Sequence, residues 1–293
     1  MLDADLPLSE LLAWYFRVNP RIRSRLTHEQ YVFALRDFGE ALRRPPVVAD
    51  LTEEALADMR SLLLSRQLSA KTINERIGRI TALWRFLATR GMVQRHPPAH
   101  RLTEPRRIPQ AWSLDEMARV LAAVSSASGS LDSIPERLWW RSLMLAMWDS
   151  AERITALLSA EWRNYDQSTG WLLIPAENRK AACQDAIYQF DDPTQAAISA
   201  ISQPSRNKIW PWPRDRSYLW IRYRTLLKRA GLPTDRYSGF HKIRRTVASH
   251  YDAAGGNASQ LLGHTDRRVT ERSYLDPRIS PRPQARDKLP RLA

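Results

Sequence analysis

The chain has 293 residues, 43% of them apolar and 11 of them Trp, enough to build a core in two domains of ordinary size and too much for a disordered chain. Lys and Arg total 45 against 31 Asp and Glu, a net charge of +14 that lies mostly after residue 100 and attracts polyanions, DNA and RNA foremost. There is no run of about 18 apolar residues, the first ten residues carry acids where a secretory leader carries bases, and the one cysteine, Cys183, forms neither an internal disulfide nor a multi-thiolate zinc site; a reducing, cytoplasmic setting is expected.

Only six of the basic residues are Lys. That Arg excess suits bidentate phosphate contacts, and it equally follows from the base composition of a coding sequence.

The first ninety residues read as about four amphipathic helices. Leu11, Leu12, Trp14 and Tyr15 belong to the first; Thr27 to Gln30 (THEQ) reads as a capping box opening the second, with Tyr31, Leu35, Phe38 and Leu42 on its stripe. Thr52, Glu53 and Glu54 open a third, with Leu56, Met59 and Leu63. The fourth starts after Ser69, carries Ile73, Ile77, Ile80, Leu83 and Leu87 on one face, and stops at Gly91. Residues 1–95 are therefore expected to be a helical domain. Residues 96–110 are polar, Pro-containing and basic, and read as a linker whose Arg101, Arg106 and Arg107 would lie along a phosphate backbone or simply face solvent.

The expected second domain spans 111–276. Ser113 and Glu116 open a capped helix, and Leu138 to Trp148 is apolar on most sides and so central. The β signal lies at Glu161 to Asp166, Trp171 to Pro175 and Ala186 to Phe190, a small antiparallel sheet. Helices are expected again from Pro213 to about Tyr274. The segment 277–293 contains four prolines and reads as a basic tail. Trp210 and Trp212, set among prolines, are read as packing, and His250 as structural.

Four short segments carry chemistry together. Ala151 to Leu158 (AERITALL) puts Arg153 at the head of a helix; His241 to Arg245 (HKIRR) puts His241 and Arg244 one turn apart; Leu261 to His264 (LLGH) sets His264 just past a helix end; Tyr274 follows in TERSYLDP. In order and local sequence these resemble the tyrosine recombinases, or phage integrase family, over about Ser113 to Pro277. The resemblance implies a mainly α fold with a small antiparallel β-sheet, in a two-domain C-shaped clamp made of a helical core-binding domain and an α+β catalytic domain. It implies that Arg153 and Arg244 hold the scissile phosphate, that His241 and His264 hydrogen-bond it or assist proton transfer, that Tyr274 attacks it, and that Lys180 protonates the leaving 5′ oxygen. The partners implied are a double-stranded DNA recombination site and further copies of the chain, two on a site and four in the synaptic complex, in a nucleoid-associated setting. Cofactors are none. Lys71, Arg245 and the linker arginines are added as candidate DNA contacts, and Leu289 and Leu292 as residues that would dock on a neighbouring copy.

The chemistry is consistent with those residue types. Charge grows on the equatorial oxygens of a phosphodiester as a nucleophile arrives, so two guanidiniums aimed there favour the transition state, binding bidentately and staying protonated. A phenol with a free pKa near about 10 must lose its proton as it attacks. The ester formed conserves the bond energy, so strand exchange needs neither ATP nor metal. Two departures from the family pattern stand out: Ala156 occupies the position of a usual Glu, and the interval between Arg244 and His264 is short, with Gly255 and Gly256 at a turn. Alternatives are a type IB-like topoisomerase, a DNA-binding protein of the same fold without catalysis, and a His-based metal hydrolase.

Overall fold

A computed structural model describes residues 3–20, 22, 24–93, 100–179, 184–203, 205–282, 287 and 289. It is mainly helical with two small antiparallel sheets and divides into two compact units, Met1–Arg106 and Arg107–Ala293, each with its own core.

The first unit is four helices: α1 (Leu8–Val18), α2 (Arg25–Leu42), α3 (Glu53–Ser65) and α4 (Ala70–Ala88). Their apolar stripes meet in one cluster that includes Leu8, Phe38, Met59, Leu63, Ile73 and Leu87. Thr52 and Ser69 cap α3 and α4 through their side chains, accepting from the amides of Ala55 and Thr72. The THEQ segment is not a cap: α2 begins a turn earlier, after Ser24, and an Arg25–Glu29 ion pair of 2.9 Å spans its first turn.

Part of the expected linker is docked. The buried side chain of Asn74 on α4 accepts from the Leu102 amide and donates to the Leu102 carbonyl and to Glu104, each at 2.9 Å. Arg101, Arg106, Arg107 and, on α4, Lys71 are exposed. Residues 94–99 lie outside the described residues.

The second unit is built around α6 (Glu136–Ser150), whose Trp139, Trp140, Leu143, Met144, Ala146 and Met147 are buried. Before it come α5 (Leu114–Ser125), opened by the Ser113–Glu116 capping box, and a short hairpin, β1 (Ser130–Leu131) with β2 (Ile134–Pro135). Asp132 and Ser133 both take the left-handed conformation in that two-residue turn, a pairing without the usual glycine signal, so the hairpin is absent from the sequence reading.

α7 (Ile154–Leu157) follows α6. The three-stranded sheet has the order β3 (Tyr165–Asp166), β4 (Trp171–Ile174), β5 (Ala186–Gln189), with Leu172 opposite both Tyr165 and Tyr188. The first strand is shorter than expected because Trp162–Asn164 winds into a 3-10 turn. The remaining helices are α8 (Asp192–Ser199), unanticipated, then α9 (Arg216–Arg229), α10 (Phe240–Ala253), α11 (Ala258–Leu262) and α12 (Arg267–Ser273). Trp210 is fully buried and donates to Ser142, and Trp212 packs on Trp139, so both are core residues. No described helix is long and apolar enough to cross a membrane.

Asn74→Ala strips three hydrogen bonds from a buried site, so the first unit should lose about 1–3 kcal/mol in denaturant unfolding. Trypsin should then cleave faster at Arg101; unchanged stability and cleavage would contradict the docking.

Candidate active site

Arg244 sits on the buried side of α10, and only 1% of it is exposed. Its guanidinium is gripped by helix ends. Nη1 donates to the carbonyl of Ala151, just past α6, at 2.5 Å; Nη2 donates to the carbonyl of Leu262, the last residue of α11, at 2.8 Å. C-terminal carbonyls lack intrahelical partners and carry the negative end of the helix dipole, so they suit a buried cation. Burial still pulls the Arg244 pKa down, and the neighbouring Glu152 opposes that.

Both carbonyls are aimed by left-handed residues. Gly263 has φ of 67°, which ends α11 and lets the His264 amide return to the Ser259 carbonyl; a Cβ there would also lie 3.3 Å from Arg179. Ala151 has φ of 50° while fully buried, an unfavourable conformation for a residue with a Cβ.

Arg153 caps α7, and its side chain is 26% exposed. Arg153, His241 and Arg244 line one cavity of about 240 Å³ together with Glu152, Ile154, Thr155 and, from α9, Arg216 and Trp220. Trp220 packs so closely on Gly239 that any Cβ there would sit 1.8 Å from its ring, which lets α10 begin beside the cavity. Arg216 and Trp220 were not singled out from sequence, since α9 has no local motif.

Tyr274 follows α12 directly. Its ring centroid is 5.0 Å from that of His241 and 4.8 Å from that of His264, and the Arg244 guanidinium lies 5.7 Å from it. Nδ1 of His264 is 2.9 Å from the Thr270 hydroxyl, which orients the ring. Burial, then Arg244 and Arg153, lower the His264 pKa, so the imidazole is neutral near pH 7.

The tyrosine segment is pinned to its own unit. Ser249 on α10 donates to the Tyr274 carbonyl at 3.2 Å and accepts from the Asp276 amide at 2.9 Å. The fully buried Asp276 carboxylate accepts from the Ala111 amide at 2.9 Å and pairs with Arg278. Arg245 donates its Nε to the Ser273 carbonyl at 3.0 Å, so Arg244, not its neighbour, is the one of the two that lines the cavity. His250 is 3.2 Å from the Trp112 carbonyl, apart from these groups. Lys180 and Cys183 lie outside the described residues, as does Leu292; Leu289 is exposed. No group of three or more His, Cys, Asp or Glu able to hold a metal occurs among the described residues.

No family model matches the chain. Among solved structures, the Tn1549 transposon integrase in complex with transposon right end DNA has a TM-score of 0.70 at 12% identity, covering 96% of this chain and 97% of that one. A lambda integrase tetramer bound to a Holliday junction has a TM-score of 0.69 at 17% identity, covering 97% and 80%. These likenesses establish the fold. Among curated proteins, the tyrosine recombinase XerC of Xanthomonas axonopodis pv. citri (strain 306) is 24% identical over 222 residues, 70% of this chain and 68% of its own length. XerC of Alcanivorax borkumensis is 26% identical over 229 residues, 73% of each chain. The chain is thus similar to tyrosine recombinases in sequence over about 70% of its length and in fold over nearly all of it. In this chain the position of the usual Glu, three residues after the first motif Arg, is held by Ala156, which is buried, and the carboxylate beside the arginines is that of Glu152.

Ala151→Gly relieves the left-handed strain and should stabilise the second unit by about 0.5–1 kcal/mol in chemical denaturation. A loss of stability would mean that the Ala151 methyl packing outweighs the strain.

Proposed function

We propose that this chain is a site-specific recombinase that cleaves and rejoins duplex DNA through a 3′-phosphotyrosine ester. The observation that carries the reading is the meeting of Tyr274 with His241, His264 and Arg244, beside a cavity that also holds Arg153.

In this reading the scissile phosphate enters the cavity with its non-bridging oxygens toward Arg153 and Arg244. The Tyr274 oxygen attacks phosphorus as its proton passes to a neutral neighbouring acceptor, the phosphorus–O5′ bond breaks, and the 5′ oxygen takes a proton, for which Lys180 is the candidate donor. The guanidiniums bind the growing equatorial charge, so their effect is on the transition state. Attack by the 5′ hydroxyl of another strand reverses the step and releases Tyr274, giving integration, excision or inversion. Binding to a DNA recombination site, with two copies on a site and four in synapsis, follows the assemblies named for the structural neighbours. The exposed Arg101, Arg106, Arg107 and Lys71 supply salt-dependent phosphate contacts, and a cytoplasmic, nucleoid-associated location goes with the substrate.

The test is a nicked suicide duplex bearing the target site, incubated with protein in chelator and run on a denaturing gel. Wild type should form a covalent adduct and Tyr274→Phe none; absence of adduct from wild type on its own site would overturn the reading. Arg153→Ala should slow adduct formation about 100-fold or more. Because that side chain is partly exposed and 3.8 Å from Glu152, its stability should change by no more than about 1 kcal/mol. Arg244→Ala should abolish the adduct and leave most DNA binding, and equal loss of both would contradict a catalytic role.

The lowered His264 pKa sets the acid limb of the rate. A ring that stays neutral to lower pH keeps cleavage level through the ordinary histidine value of 6.5, with loss only below it. Single-turnover rates across pH check this; a limb at or above 6.5 would contradict the neutral-His264 role.

A further inference from the structure

Glu152 has no place in the family pattern set out above, yet it is fully buried at the centre of the site. Four donors from four parts of the chain converge on its two oxygens. Oε1 accepts from the Arg153 amide at 2.7 Å and lies 3.4 Å from Nη1 of Arg244; Oε2 accepts from Nε of Arg179 at 2.9 Å and from the Tyr188 hydroxyl at 2.7 Å. Among the described residues it is the one carboxylate paired with Arg244.

We propose that Glu152 is the positioning residue of this site: it fixes the Arg244 guanidinium for phosphodiester attack. The inference rests on the recombinase reading.

Three observations support the assignment. The buried cation needs a counter-ion, because a guanidinium removed from water is strongly disfavoured without one, and two carbonyl dipoles alone offset only part of that. Ala151, Glu152 and Leu262 together engage Nη1 and Nη2 from fixed directions, while Nε of Arg244 is buried without a partner on a side chain that lines the cavity. The Glu152 oxygens are fully buried and committed to four protein donors, which suits a group that acts through Arg244. Although burial opposes ionisation, Arg244, the Arg153 amide, Tyr188 and Arg179 outweigh it and hold the carboxyl below its ordinary range. One negative charge among Arg153, Arg179 and Arg244 also leaves the cluster cationic enough to receive a phosphate.

Glu152→Gln keeps the shape and removes the charge. With the suicide duplex at saturating protein, single-turnover adduct formation should fall about 100-fold, as expected for a misaligned transition-state contact. Duplex affinity should stay within about 3-fold, because the group acts on the rate and not on uptake. Tyr188→Phe removes a single hydrogen bond from Oε2 and should slow the rate about 3- to 10-fold with binding unchanged; it decides the matter should the glutamine variant fail to fold. Two results would overturn the proposal: a folded Glu152→Gln that forms adduct within about 3-fold of wild type, or rate and affinity falling together in proportion. Failure of wild type itself to form adduct would sink the recombinase reading instead, and so is told apart.

Discussion

The site depends on keeping one guanidinium, that of Arg244, charged and still while it is shut away from water. A helix interior offers no acceptor for it, so the chain brings two helix ends and one carboxylate to the same place. The constraint reaches far along the sequence. It requires α6 to stop at Ala151 in a conformation that suits glycine, and α11 to stop at Gly263. It also requires a loop one residue past α6 to bury an acid. The left-handed alanine and the buried acid are locally unfavourable, and the cation they share explains both.

A second constraint concerns Tyr274, the nucleophile of the proposed reaction. Tyr274 stands at the C-terminal end of a seven-residue helix, which by itself would hold a side chain loosely. The backbone around it is fastened by Ser249, which bonds Tyr274 and Asp276, and by Arg245, which bonds Ser273, both from α10, the helix that also carries His241 and Arg244. One helix therefore positions both Arg244 and the backbone at Tyr274, the two groups that the proposed reaction has to hold in register.

What was legible in the sequence was local. Arg153, His241, Arg244, His264 and Tyr274 each lie in a short segment whose pattern is visible without the fold, and the structure brings them together. The four first helices were legible for the same reason, their stripes being periodic. Glu152 was not, because its meaning comes from Arg179, Tyr188 and Arg244, which are 27, 36 and 92 residues away. Asp276 was missed on the same ground, its partner Ala111 being 165 residues earlier. The THEQ segment failed differently: a cap pattern recurs inside helices, and only the path of the preceding residues decides whether it starts one. The docked stretch of the linker depended on Asn74, a single polar residue on an otherwise solvent-compatible helix face.

The bond from Ala111 to Asp276 ties the chain just before α5 to the segment beside Tyr274. Asp276 is sealed from solvent, so a shift of that amide would leave a buried charge short of a donor. Whatever displaces residue 111 thus tugs on a position two residues after Tyr274.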